Sequence, residues 1–263
     1  MPLQQLFYFV IFGNIEESLP PFESNRYRTS GVPDGIELEF VSRDESLNVW
    51  EQFQIGPAWD AFRSSNPVLE QAMLQCPSCV IVRGQIPDGD TLEPLASTIG
   101  VITSLLDAGG IAVCDVLTAS WFDTLDWKLS VFEPGMEGLA KLVVVNLERL
   151  DRNLPETGEL WVYTRGMRRF ARPDVSFTKL PANMTDLGKK LVEYLAYSMI
   201  DGAVIPNGKE LLFRNTENDS VAVDYLTAYD PDYSKGIRVR CELSGGLDDP
   251  HFFNFYLNLT IVS

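Results

Sequence analysis

Residues 79–117, CVIVRGQIPDGDTLEPLASTIGVITSLLDAGGIAVCDVL, decide the fold class. Cys79 to Ile86 is a short β-branched run and reads as a strand. Asp90 with Glu93 three residues later predicts a helix opened by an acidic form of the capping box. Leu92, Leu95, Ala96, Ile99, Ile102 and Leu106 then recur at helical spacing, and Gly109 ends the helix. Ile111 to Leu117 is strand again. Strand, helix and strand in so short a span imply a right-handed crossover between parallel strands.

Upstream, Leu3 to Phe12 reads as a buried strand closed by Gly13-Asn14, and Ile36 to Phe40 alternates as a strand with one acidic face. Residues 14–35 hold three prolines and no periodicity, which predicts an irregular surface segment open to a functional role. Asn66-Pro67 starts a helix whose apolar face is Val68, Leu69, Ala72, Met73 and Cys76, and Pro77 ends it. Downstream, the Trp121 to Phe132 stretch has no clear assignment, and Leu142 to Leu147 resumes as strand. Asp151 to Gly158 is polar and marks a boundary. After it come the strand Leu160 to Tyr163 and a helix from Met184 to Met199 that turns Leu187, Leu191, Val192, Leu195 and Met199 inward. Leu211–Arg214, Val221–Tyr229, Ile237–Leu243 and Phe252–Val262 are strands separated by turns, the spacing of an antiparallel meander. The class is therefore α+β, a mixed sheet with a strand-helix-strand N-terminal half and an antiparallel meander in the C-terminal half. Residues 1–150 form an α/β half and 158–263 an α+β half, as two units or one continuous domain.

The 263 residues carry 21 Lys plus Arg against 37 Asp plus Glu, a net charge of −16. A field of that sign repels phosphate backbones and anionic lipid, so nucleic acid and membrane surfaces are not expected partners. The acids recur in small groups, Glu16-Glu17, Asp44-Glu45, Glu217/Asp219, Asp230/Asp232 and Asp248-Asp249, the pattern of an acidic surface and not of a tail. No export signal and no apolar stretch of about 20 residues is read, and the four cysteines Cys76, Cys79, Cys114 and Cys241 sit in apolar text, so a reducing, cytoplasmic setting is expected.

No catalytic set emerges. Cys76-Pro77-Ser78-Cys79 closes a helix and opens a strand, the reverse of a redox dithiol at a helix N-terminus. Cys114 and Cys241 lack metal-ligand spacing. His251 is the single histidine, placed in a polar turn, with no nucleophile motif to serve. Carboxylate pairs such as Glu37/Glu39 and Asp123/Asp126 reflect abundant acid, and Gly109-Gly110 and Gly245-Gly246 lack the rest of a phosphate-binding loop. No metal and no cofactor is expected.

The exception to this acidity is Thr164-Arg165-Gly166-Met167-Arg168-Arg169-Phe170-Ala171-Arg172-Pro173-Asp174, which places Arg165, Arg168, Arg169 and Arg172 within eight residues. These arginines either pair with the protein's own carboxylates, Asp174 among them, or hold an external phosphate-bearing ligand or acidic peptide. The segment resembles the signature of a bacterial family of uncharacterised proteins, carried by Trp161, Gly166, Met167, Phe170, Arg172, Pro173 and Asp174. Ala171 stands where that signature has glycine. Asp107-Ala108-Gly109-Gly110 followed by Ile111-Ala112-Val113 is similar to the family's middle section, so the resemblance spans roughly residues 75–200. Members are thought to include immunity proteins of contact-dependent or secreted polymorphic toxins. The resemblance implies a structural role for Trp161, Gly166, Phe170, Pro173 and Asp174 and brings no catalytic residue. The function expected is a non-enzymatic acidic binding protein that antagonises a cognate, basic bacterial toxin. The alternatives are a small-molecule or nucleotide-handling enzyme centred on Arg165 to Arg172 and a general accessory or scaffold protein.

Overall fold

The computed structural model describes residues 4–19, 21–22, 24–87, 89, 91–149, 159–215, 221–225, 237–244 and 256–262. His251, Asp90, Gly245-Gly246, the acids Glu217, Asp219, Asp230, Asp232, Asp248 and Asp249, and the Asp151–Gly158 boundary lie outside the described residues. The chain divides into two compact units, Pro2–Leu142 with Arg169–Ala171, and Val143–Arg168 with Arg172–Ser263.

The first unit is built on a five-stranded sheet of β1 (Gln4–Gly13), β2 (Ile36–Ser42), β3 (Ser78–Pro87), β4 (Gly110–Asp115) and β5 (Ser120–Asp123), in the order β2-β3-β1-β4-β5. Every neighbouring pair is antiparallel. β3 and β4, joined by the helix α4 (Glu93–Asp107), do run in the same direction, but β1 lies between them and opposes both. β1 is buried on both faces because helices cover both, and Phe9, Val10, Ile11 and Phe12 are all fully inaccessible. A strand in that position has no solvent face on which to place polar residues, so its text from Phe9 to Phe12 is wholly apolar.

On one face, Val10 and Phe12 meet Trp50, Trp59, Phe62 and Met73 from the helices α1 (Leu47–Phe53), α2 (Pro57–Ser65) and α3 (Pro67–Gln75). In α3 the inward residue is Met73, whereas Val68, expected on the apolar face, is 83% exposed. Leu69, beside it in the first turn, packs against the aromatic cluster, while Ala72, also expected on that face, is exposed. Behind β1's other face lie α4 and the short helix α5 (Thr124–Trp127), which continues as a π turn over Lys128–Phe132. Trp127 is fully buried, stands edge-on to Phe9 and Phe122, and donates from Nε1 to Thr103 Oγ1 at 3.1 Å. α4 starts at Glu93 with no side-chain cap, and it is buried from Ser97 through Leu106 on all sides, not along a single stripe. Gly109 has φ +115°, the left-handed geometry that lets the chain leave the helix.

The irregular segment after β1 is ordered against α4. Its single helical turn Asn25–Tyr27 crosses the helix at Gly100, where an added Cβ would sit 2.2 Å from the Tyr27 carbonyl oxygen. Asp107 anchors it by accepting from Arg26 Nη2 at 2.6 Å, from Tyr27 Oη at 3.0 Å and from Lys128 Nζ. Burial pushes the Asp107 carboxyl up, but the hydrogen bonds from Lys128 and Tyr27 and the charges of Lys128 and Arg26 outweigh it and hold the group below its usual range. A depressed folded-state pKa gives stability that is present above the unfolded value of about 4 and lost as pH falls through the folded one. Thermal melts from pH 6 to pH 3 should therefore show the wild type more stable than Asp107→Asn near neutrality, with the two curves converging below about pH 4. Because Arg26 is exposed, the gap should be about 1 kcal/mol or less.

The second unit is a seven-stranded sheet in the order β10-β9-β11-β12-β8-β7-β6. Its strands are β6 (Val144–Arg149), β7 (Leu160–Arg165), β8 (Asp174–Leu180), β9 (Lys209–Asn215), β10 (Val221–Tyr225), β11 (Ile237–Ser244) and β12 (Tyr256–Ile261). All pairs are antiparallel except β12 with β8, which makes the sheet mixed. β6 pairs with β7, so the packing passes from one unit to the other at Leu142/Val143, upstream of the polar boundary read from sequence. One face holds the core, where Val162, Val175, Phe177, Leu211, Val239 and Leu257 meet Leu191, Val192, Leu195 and Met199 of α6 (Thr185–Ile200).

Candidate functional site

The arginine-rich segment is the connection from β7 to β8. Gly166 has φ +108° and starts a tight turn through Met167–Phe170. Ala171 has φ +52°, in the left-handed region that favours glycine, which is the physical reason a glycine is expected there. Asp174 ties the turn together. Its Oδ1 accepts from Thr164 Oγ1 at 2.9 Å and from the Met167 amide at 3.2 Å, while Thr164 Oγ1 accepts from the Val175 amide at 2.8 Å. The Arg172 amide donates to the Met167 carbonyl at 3.2 Å.

The four arginines do not converge. Arg165 is exposed and lies over the Tyr163 ring at 5.5 Å. Arg168 is 5% exposed, and its guanidinium pKa is lowered by burial, against which the Asp174 charge raises it. Arg172 donates from Nε to the Met199 carbonyl at 3.3 Å. Arg169 belongs with Phe170 and Ala171 to the first unit, where it is fully buried. There its Nη2 lies 2.8 Å from both oxygens of the equally buried Asp115, and its guanidinium lies over the Phe9 ring at 5.1 Å. Phe170 and Pro173 are buried as well.

Strand alternation places Trp161 and Tyr163 on the sheet face opposite α6. Their rings stack at 4.0 Å, Tyr256 stands edge-on to both, and Trp161 Nε1 donates to Ser176 Oγ at 2.9 Å. Tyr163 Oη donates to Glu148, and burial together with that carboxylate pushes the phenol up to about 12. Tyr163 is thus the centre of the cluster, with the exposed Glu148 at its hydroxyl, the exposed Arg165 over its ring and Trp161 stacked on it. Glu148, Tyr163, Tyr256 and Asp115 were not singled out by sequence. Asp115 alone carried a signal, as a carboxylate inside an apolar strand run.

The cysteines are free thiols and all buried. Cys76 caps α3 and accepts from Trp50 Nε1 at 3.2 Å, and desolvation pushes the thiols of Cys79 and Cys241 up to about 12 and that of Cys114 higher still. Asp123 caps α5 by accepting from the Asp126 amide at 2.7 Å, and Glu39 pairs with Arg83 at 3.0 Å. Among the described residues no three or more His, Cys, Asp or Glu side chains gather as metal ligands. No helix among them is long and apolar enough to cross a membrane. In comparisons with known proteins no family model, no curated protein and no solved structure matches the chain, which leaves its own geometry as the basis for a functional reading.

Proposed function

We propose that this chain is a non-enzymatic acidic binding protein that antagonises a basic protein toxin. The observation that supports this reading most is the division of charge. Arg168 and Arg169, half of the one cationic cluster, are spent inside the fold, while Glu16, Glu17, Asp34, Glu37, Asp44, Glu45 and Glu51 are exposed. The two buried arginines are matched by the buried carboxylates Asp115 and Asp174, so the net charge of −16 is carried by the rest of the chain. A field of this kind accelerates encounter with a cationic protein and disfavours anionic ones. The likeness of residues 161–174 to a family thought to include immunity proteins supports the toxin as the class of partner. The enzyme alternative loses its anchor, since two of its four cations are enclosed.

The test is a tagged pull-down from the source cells, washed at low and then high salt, with bound proteins identified by mass spectrometry. One basic protein that is lost in the high-salt wash is expected. Its purified form should then bind at least about tenfold more weakly when salt is raised from about 50 to 500 mM, as screening shortens the reach of surface charge. Recovery of no specific basic protein under either wash would sink the reading.

A further inference from the structure

The long connection between β1 and β2 builds a second feature, which charge-driven binding does not use. Held against α4 at Gly100 and Asp107, it carries Arg28 over a half-open apolar cavity of about 190 Å³. The walls include Ala96 and Ile99 of α4 with Val131 and Leu139. Arg28 also borders a more open polar vestibule of about 300 Å³, where Glu93 and Ser97 of α4 face it. Arg28 and Ala96 line both spaces, so the two adjoin.

The Arg28 backbone is left-handed, with φ 54° and ψ 36°, a conformation that costs a non-glycine residue about 1 kcal/mol. Its guanidinium is fixed by donation from Nη1 to the Phe132 carbonyl at 3.0 Å and by lying 4.8 Å from the Phe132 ring. Among the described residues no carboxylate forms an ion pair with Arg28, and no cation forms one with Glu93. Two opposite charges therefore share one vestibule without pairing, above an apolar chamber.

We propose that this cleft binds a free α-amino acid with an apolar side chain. The carboxylate meets Arg28, the ammonium meets Glu93, and the side chain enters the apolar chamber. A cavity of about 150 Å³ takes benzene, so the chamber suits a benzyl or branched butyl group. Fixed polar groups at the mouth of an apolar pocket are how small-molecule sites gain orientation. Glu93 and the chain's net negative charge disfavour diacids and phosphorylated ligands, while a zwitterion adds no net charge.

Isothermal titration of the full chain with phenylalanine and leucine tests this, beside 3-phenylpropanoate, phenethylamine and glycine as probes lacking the amine, the carboxylate and the side chain. At least one of the two amino acids should bind with Kd below about 1 mM, and each truncated probe at least about tenfold more weakly. Arg28→Gln should lose at least about tenfold in affinity for the amino acid and Glu93→Gln a similar factor. Both sites are exposed, so the folded state of each variant can be checked by its melting temperature, and either variant suffices if the other is unstable. No binding of either amino acid at about 10 mM would overturn the proposal. So would equal affinity for 3-phenylpropanoate, or variants that bind the amino acid as tightly as the wild type.

Discussion

Asp115→Ala should destabilise the first unit by about 3–5 kcal/mol, read as a fall in the denaturant midpoint at unchanged slope. The size follows from what the substitution leaves behind. Asp115 and Arg169 are both fully buried, and the carboxylate also accepts from the Leu117 amide at 3.2 Å. Removing it takes from a fully buried guanidinium a carboxylate that water cannot replace there, and the loss of a buried charge partner costs far more than a surface ion pair contributes. Arg169→Ala should be destabilising for the mirrored reason. The double variant Asp115→Leu with Arg169→Met separates this account from a simple loss of packing. It removes both charges at similar volume and should recover most of the stability, or exceed the wild type, because desolvation offsets much of a buried pair's attraction. If the double variant is as unstable as the sum of the single ones, the charge account fails.

The parts of the fold legible in sequence are those with a period or a sharp stop. β1, β3 and α6 were read within a few residues because apolar runs and helical spacing reflect burial directly. α1 and α2 were not, at 7 and 9 residues. Helices that short are held by tertiary anchors, here Trp50, Trp59 and Phe62, and the anchors are too few to mark a repeat. The π turn after α5 was equally hidden, since its buried residues Trp127 and Val131 are too few to mark a period. In the 79–117 segment the strand directions were legible but the neighbour was not. β1 is inserted between β3 and β4 from a distant part of the chain, and local pattern carries no trace of it.

The arginine segment was conspicuous by composition, yet composition could not say where each guanidinium points. Arg169 finds its carboxylate 54 residues earlier in sequence, and Arg172 reaches a backbone carbonyl of α6. A turn, unlike a strand, sends consecutive side chains in unrelated directions, so a cluster in sequence need not be a cluster in space. Asp174 was legible as a partner for the segment, although the hydrogen bonds its Oδ1 accepts come from the Thr164 hydroxyl and the Met167 amide.

That difference makes Asp174 the second large effect. Asp174→Ala should cost about 3 kcal/mol and lower the melting temperature by several degrees, while Asp174→Asn should cost about half as much. The carboxylate is 9% exposed and its Oδ1 accepts two hydrogen bonds, from the Thr164 hydroxyl and the Met167 amide. Alanine leaves both donors buried without that acceptor, at about 1–3 kcal/mol for an unsatisfied group. It also frees the Thr164 hydroxyl, which holds the Val175 amide and so begins the pairing of β8. Asparagine keeps an oxygen acceptor in place but gives up the charge that strengthens both bonds and offsets the buried Arg168. Thr164→Val in the Asp174→Ala background should add little, because the two side chains act through one network. Full additivity of the two losses would show instead that Asp174 and Thr164 support the turn independently.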